Sequence, residues 1–160
     1  MTKFAIALAS LATLACSGGA ERLALERFFE ASRLRDRTAL RAISTVSFEP
    51  LADGTLTTFS ITGLGPEQRK PLYDATSEIH IAELSLDNPR QPVDLKTLGR
   101  DGSELVSKDV RISAQVRLPT GKTAQKTVSI VLQRATVKGD RQMITGRWIV
   151  TGFVTAGAGF

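Results

Sequence analysis

The clearest pattern in the chain is an alternation in its last third. Val110, Ile112, Ala114, Val116 and Leu118 are separated by Arg111, Ser113, Gln115 and Arg117. That period of two marks a strand with one face buried and one face wet. Pro119-Thr120-Gly121-Lys122 predicts a hairpin turn, and Lys126 to Thr136 returns with Val128, Ile130 and Leu132 inward. Lys138-Gly139-Asp140 turns again, and Gln142 to Val154 closes the meander with Ile144, Trp148 and Val150 on one side. Earlier, Thr55 to Thr62 is rich in Thr, Phe and Ile and predicts a strand between Asp53-Gly54 and the breakers Gly63, Gly65 and Pro66. Glu78 to Leu86 also reads as a strand, with Ile79 and Ile81 on one side and His80, Ala82, Leu84 and Leu86 on the other. Residues 87–102 hold Asn88-Pro89, Pro92 and Asp101-Gly102, so they form a long excursion with one helical turn near Leu95 to Leu98.

The helical period is confined to the N-terminal part. From Glu21 to Arg35, Leu25, Phe28, Phe29 and Ser32 fall at i, i+3, i+4 and i+7, with Leu23, Ala31 and Leu34 widening the stripe. Glu26 and Glu30 lie within helical reach of Arg22, Arg27 and Arg33 and read as surface ion pairs. Asp36 caps a second, short helix whose apolar face is Ala39, Leu40 and Ile43. Helices first and an antiparallel meander last give an α+β fold.

The first fifteen residues stand outside this scheme. Lys3 precedes an apolar run from Phe4 to Ala15, too short to span a bilayer, which takes about 20 residues. Leu14-Ala15-Cys16-Ser17 places a small residue before the chain's single cysteine. This resembles the lipobox of bacterial lipoproteins, with Thr13 where the commonest form has Leu. The resemblance implies that residues 1–15 are a signal peptide and that Cys16 is lipidated. Residues 16–20 would then be a short tether, 21–155 a single α+β domain and 156–160 a tail. It also implies a protein anchored in the cell envelope, on the periplasmic face of the outer membrane.

Composition narrows the chemistry. The chain has 160 residues, 42% hydrophobic and 23% charged, enough for one globular domain. One Cys and one His exclude a disulfide framework and a zinc site built from Cys and His alone. No metal cluster and no cofactor motif is present. Gly121-Lys122-Thr123 resembles the end of a phosphate-binding loop, but Val116 stands where that loop needs its first Gly, and a strand follows instead of a helix. The formal charge is +5. From Leu105 to Phe160, nine Lys and Arg face two Asp. Arg111 and Arg117 share a strand face, and Arg147 on the closing strand is a third candidate for anionic contacts. Without interleaved aromatics the pattern does not suit nucleic acid.

Phe28-Phe29-x-Ala31 in the first helix, Asp36 opening the next, and Gly146-Arg147-Trp148-Ile149-Val150 in the last strand resemble the nuclear-transport-factor-2-like superfamily, the cystatin-like α+β cone. The resemblance spans about Glu21 to Val154 and fits least well between Leu64 and Ser107. It implies N-terminal helices packed on a curved antiparallel sheet that encloses a cone-shaped pocket. Such folds host enzymes, binding proteins and dimerisation domains, so the resemblance implies either of two functions. One is a membrane-anchored binding or structural module, whose partners would be the membrane, an envelope protein, a small hydrophobic ligand or a second copy of the chain. The other is a small-molecule isomerase or hydrolase in which His80, Tyr73 and Asp74 act inside an apolar pocket as acid, base or oxyanion donor.

Overall fold

A computed structural model describes residues 18–73, 75–98 and 102–156. Helix α1 runs Gly19–Leu34 and α2 runs Arg37–Ile43, followed by the single turn α3, Pro50–Asp53. Strands β1, Thr55–Leu64, and β2, Gln68–Pro71, precede helix α4, Thr76–Leu86, and a 3₁₀ turn at Leu95–Thr97. Two long strands follow, β3, Glu104–Arg117, and β4, Thr123–Lys138, then the short β5, Met143–Thr145, and β6, Ile149–Ala156. All six strands form one antiparallel sheet. β1 and β2 both pair with β3, and β5 and β6 both pair with β4, so each outer line is one strand path with an interruption. The fold is α+β, as the hydrophobic pattern predicts.

Alternation assigns the two faces. Val106, Val110, Ile112, Ala114 and Val116 of β3 share a buried face with Val128, Ile130 and Leu132 of β4. Helix α1 lies on this face with Leu25, Phe28, Phe29 and Ser32 buried, the predicted i, i+3, i+4, i+7 stripe. Leu23 and Leu34, which the pattern assigns to its margins, are exposed. Five Phe rings form one cluster here. Phe28 and Phe29 meet at 5.2 Å, Phe28 meets Phe153 at 6.4 Å, Phe29 meets Phe48 at 5.3 Å and Phe59 at 5.6 Å, and Phe48 meets Phe153 at 5.4 Å. Edge and tilted geometries at these spacings add to the burial of the rings. Asp36 caps α2 by accepting from the Ala39 N–H at 3.0 Å. The Ser44–Val46 segment after α2 then lies along β6, with the Thr45 N–H donating to the Val150 carbonyl.

Among the described residues, the opposite face is covered only at one end. Leu105, Ala135 and Val137 point there and meet Ile81, Ala82 and Leu86 of α4 together with Leu72 and Leu98. This corrects the strand expected over Glu78 to Leu86. The segment is helical, and its buried positions, Ile81, Ala82, Ser85 and Leu86, are spaced as one helix side. The single helical turn near Leu95 is present as expected.

The closing strand is also broken where continuity is expected. β4 pairs with β6 as far as Gln133↔Ile149 and resumes with β5 at Thr136↔Thr145. Ser85 occupies the gap. Its hydroxyl accepts from the Ala135 N–H at 3.0 Å and donates to the Arg147 carbonyl at 2.9 Å, while its own carbonyl accepts from the Arg147 N–H. A side chain thus closes a stretch of ladder that would otherwise leave buried groups unpaired. Gly146 is required beside it, because an added Cβ would overlap the Ser85 hydroxyl and carbonyl. The break also puts Ile144 in the α4 cluster and Val150 in the α1 cluster, so the two do not share a side as the pattern implies.

Phe28 is fully buried between neighbouring rings, so Phe28→Ala should cost about 3–5 kcal/mol out of a typical total of about 5–15 kcal/mol. Urea unfolding of this variant beside Leu34→Ala, an exposed control, measures the difference. A loss below about 1 kcal/mol for Phe28→Ala, the range of a surface site, contradicts the packing described.

Candidate functional site

The three catalytic candidates do not converge. His80 sits on α4, not on a strand, and its side chain is 57% exposed, with Nδ1 3.9 Å from a Glu83 carboxylate oxygen. It lines an open groove with Glu83, Leu84, Pro89 and Val93, not an apolar enclosure. Tyr73 is 61% exposed. Its N–H donates to Glu78, whose other carboxylate oxygen pairs with Lys70. The Lys70 hydrogen bond, with help from the Tyr73 N–H, holds Glu78 below the usual carboxylate pKa against the pull of partial burial. These groups therefore tie β2 to the start of α4. Asp74 lies outside the described residues. The space between α1 and the sheet, where a cone pocket would open, is packed with Phe28, Phe29, Phe48 and Phe153.

Several of the basic residues in the last third are already engaged. Lys108 points to the α1 face and reaches Glu21 at 2.7 Å, both side chains being largely buried. Burial pushes the Glu21 carboxyl up, but the Lys108 hydrogen bond, the helix backbone and the nearby charges of Lys108 and Arg134 outweigh it and leave Glu21 below 4.5. Arg134 stacks on Trp148, 4.0 Å from the ring centre, and pairs with Glu67 at 2.9 Å. Arg147 is not on a strand and does not join Arg111 and Arg117. Its guanidinium donates to the carbonyls of Ala42 and Leu84 and so ties α2 to α4, with Asp87 4.0 Å away.

Arg111 and Arg117 remain on the outward sheet face, as the alternation predicts. Both are exposed, and neither has an ion-pair partner among the described residues. The face around them is Ser, Thr and Gln: Thr55, Thr58 and Ser60 of β1, Ser113 and Gln115 of β3, and Thr123, Gln125, Thr127 and Ser129 of β4. Asp109 is on the same face two positions from Arg111. The arginines are six positions apart, roughly 20 Å at strand rise.

A further cluster of basic residues sits at the α1–α2 corner. A cleft of about 500 Å³ opens where α1 turns into α2, lined by Ser32, Arg35, Arg37, Leu40, Arg41 and residues 44–49. The available signal was Arg37 and Arg41 at i and i+4 with no acidic residue between them, which resembles an ordinary solvated helix face.

Compared with protein-family models, curated proteins and solved structures, the chain matches none. Among the described residues there is no cluster of three or more His, Cys, Asp and Glu that could hold a metal ion. No described helix is long and apolar enough to cross a membrane. Gly121 sits in the β3–β4 hairpin at φ 82° and β4 follows directly, so the Gly-Lys-Thr segment is a turn.

The Glu21–Lys108 pair makes stability pH-dependent with a defined sign. A carboxyl held below 4.5 in the folded chain contributes stability above that pH and loses it as the pH falls through the folded value. Lys108→Met leaves Glu21 buried without its partner, at a cost of about 3–5 kcal/mol near pH 7. With the Lys108 hydrogen bond and charge gone, burial is opposed only by the helix backbone and Arg134 and the Glu21 pKa rises, so the gap between variant and wild type should narrow as the pH drops toward 3. Urea unfolding across pH 3–7 reads this gap, and a gap that is the same at every pH contradicts the assignment.

Proposed function

We propose that this protein is a lipid-anchored envelope lipoprotein whose single domain is a binding or structural module of the cone-shaped, nuclear-transport-factor-2-like type. The observation that carries the reading is the junction at the N-terminus. Leu14-Ala15-Cys16-Ser17 has the lipobox form, and helix α1 begins at Gly19, leaving only a few residues between the cysteine thiol and the folded domain. At about 3.3–3.6 Å per residue, such a tether keeps the domain close to the headgroups. Acyl chains on Cys16 would make the attachment durable, because each buried methylene contributes about 0.8 kcal/mol.

The cone reading draws support from the ring cluster. Phe59 on one outer strand path and Phe153 on the other both contact the adjacent Phe28–Phe29 pair of α1. A sheet that bends toward the helix brings its two edges to the same residues. The rings also fill the space that a catalytic pocket needs, which favours a module over the small-molecule enzyme. The outward face with Arg111 and Arg117 is the surface such a module would present to an anionic headgroup or an acidic envelope partner. With Arg147 committed to Ala42 and Leu84, the attraction rests on two arginines, about 1 kcal/mol each at an anionic surface.

Cys16→Ala should abolish lipidation in a bacterial host. The expected result is loss of incorporated labelled palmitate and retention of the unprocessed mass, with the domain's circular dichroism unchanged. If the variant still partitions with membranes and shows the wild-type mature mass, the lipoprotein reading is wrong.

A further inference from the structure

We propose that the cleft at the α1–α2 corner is a binding site for a small oxyanion-bearing ligand, a phosphate monoester or its like, held by Arg35, Arg37 and Arg41 above the hydroxyl of Ser32. Three independent observations point there. The first is charge. Arg37 and Arg41 are one helical turn apart on α2, and Arg35 immediately precedes the α2 cap. None of the three has an ion-pair partner among the described residues, although like charges at i and i+4 repel. The acidic groups nearby form no ion pair with them among the described residues. Asp36 is occupied by the Ala39 N–H, and Glu49 is the single carboxylate lining the cleft.

The second observation is a buried orphan. Ser32 is 3% exposed and lines the cleft, and its hydroxyl has no hydrogen-bond partner among the described residues. Buried polar groups are nearly always paired, and the hydroxyl of a residue lining a basic cleft is free to turn and donate to an incoming oxyanion. The third is backbone strain. Arg35 is the one non-glycine residue at positive φ among the described residues, at φ 54° and ψ 33°. That helix-ending position favours glycine, yet it carries an arginine at the cleft rim.

The remaining walls define the rest of the ligand. Leu40 and Val46 are half-buried there, and Phe48 is buried. A cleft of about 500 Å³ with an apolar side and a cationic rim suits an oxyanion attached to a small apolar body. Arginine is the residue type whose planar fork matches phosphate oxygens. The same chemistry occurs in a free phosphorylated metabolite and in a lipid headgroup. The site is separate from Arg111 and Arg117 and does not depend on lipidation.

The test is titration of the purified full chain, followed by amide chemical shifts and calorimetry, with inorganic phosphate, phenyl phosphate and a short-chain phosphatidic acid below its micelle concentration. Phenyl phosphate should bind more tightly than inorganic phosphate and shift the amides of Ser32, Arg35 and Arg41. Phosphatidic acid binding tighter than phenyl phosphate would assign the headgroup as source, and the reverse order a free ligand; both support the site. Arg37→Gln with Arg41→Gln should weaken binding tenfold or more, about the loss of one charge-assisted contact. Ser32→Ala should weaken it by about threefold, a neutral hydrogen bond. Arg111→Gln with Arg117→Gln should leave it unchanged. Equal weakening in that control pair would show attraction to net charge only and overturn the proposal. So would binding that is unaffected in Arg37→Gln/Arg41→Gln, or no binding of any probe at low salt.

Discussion

Two adjacent phenylalanines on one helix govern this fold. Phe28 and Phe29 point about 100° apart around α1, so no single flat surface can cover both. The structure covers them from different directions. Phe28 packs toward β6 through Phe153, Phe29 toward β1 through Phe59, and Phe48 from the loop after α2 reaches both Phe29 and Phe153. The long strands β3 and β4 supply the floor, with a run of fully buried aliphatic residues beneath the helix. Burying that much apolar surface offsets the entropy of ordering strands of 14 and 16 residues, which short-range propensity alone would not hold in register.

A second constraint acts at the edge. The outer strand path cannot run unbroken past Gly146, because α4 is docked there through Ser85. The hydroxyl of Ser85 bridges the Ala135 N–H and the Arg147 carbonyl, and the Arg147 guanidinium then reaches Leu84 and Ala42. One interruption in a ladder thus ties α2, α4 and the sheet together. It also changes what the charge distribution means. Lys108, Arg134 and Arg147 hold the fold together through Glu21, Glu67 with Trp148, and backbone carbonyls. Arg111 and Arg117 on the outward sheet face, and Arg35, Arg37 and Arg41 in the cleft beside α2, have no ion-pair partner among the described residues.

How much of this was legible follows from which forces act locally. The meander was legible because one face of β3 and β4 is buried and the other wet, and that alternation is written residue by residue. The stripe on α1 and the Asp36 cap were legible for the same reason. Glu78 to Leu86 was not. Its apolar residues satisfy a period of two, yet Ile81, Ala82, Ser85 and Leu86 also lie on one helix side, and a short apolar run does not discriminate. The choice is made by tertiary structure, the gap between β5 and β6 beside β4 that a helical Ser85 fills. The role of Arg147 was hidden likewise, since its partners are carbonyls distant in sequence. The cleft was hidden because its Ser32 is read as part of the helix stripe, and only the turn at Arg35 brings Arg37 and Arg41 to it.

The central claim is that α1 and the sheet are one cooperative unit built on the Phe28–Phe29 pair. Native-state amide hydrogen exchange tests it most directly. Amides from Leu25 to Ser32 and those of central β3 and β4, Val110 to Ala114 and Val128 to Leu132, should open together with the free energy of global unfolding. Amides of α1 that exchange through a separate opening, several kcal/mol below that of the strands, would contradict it.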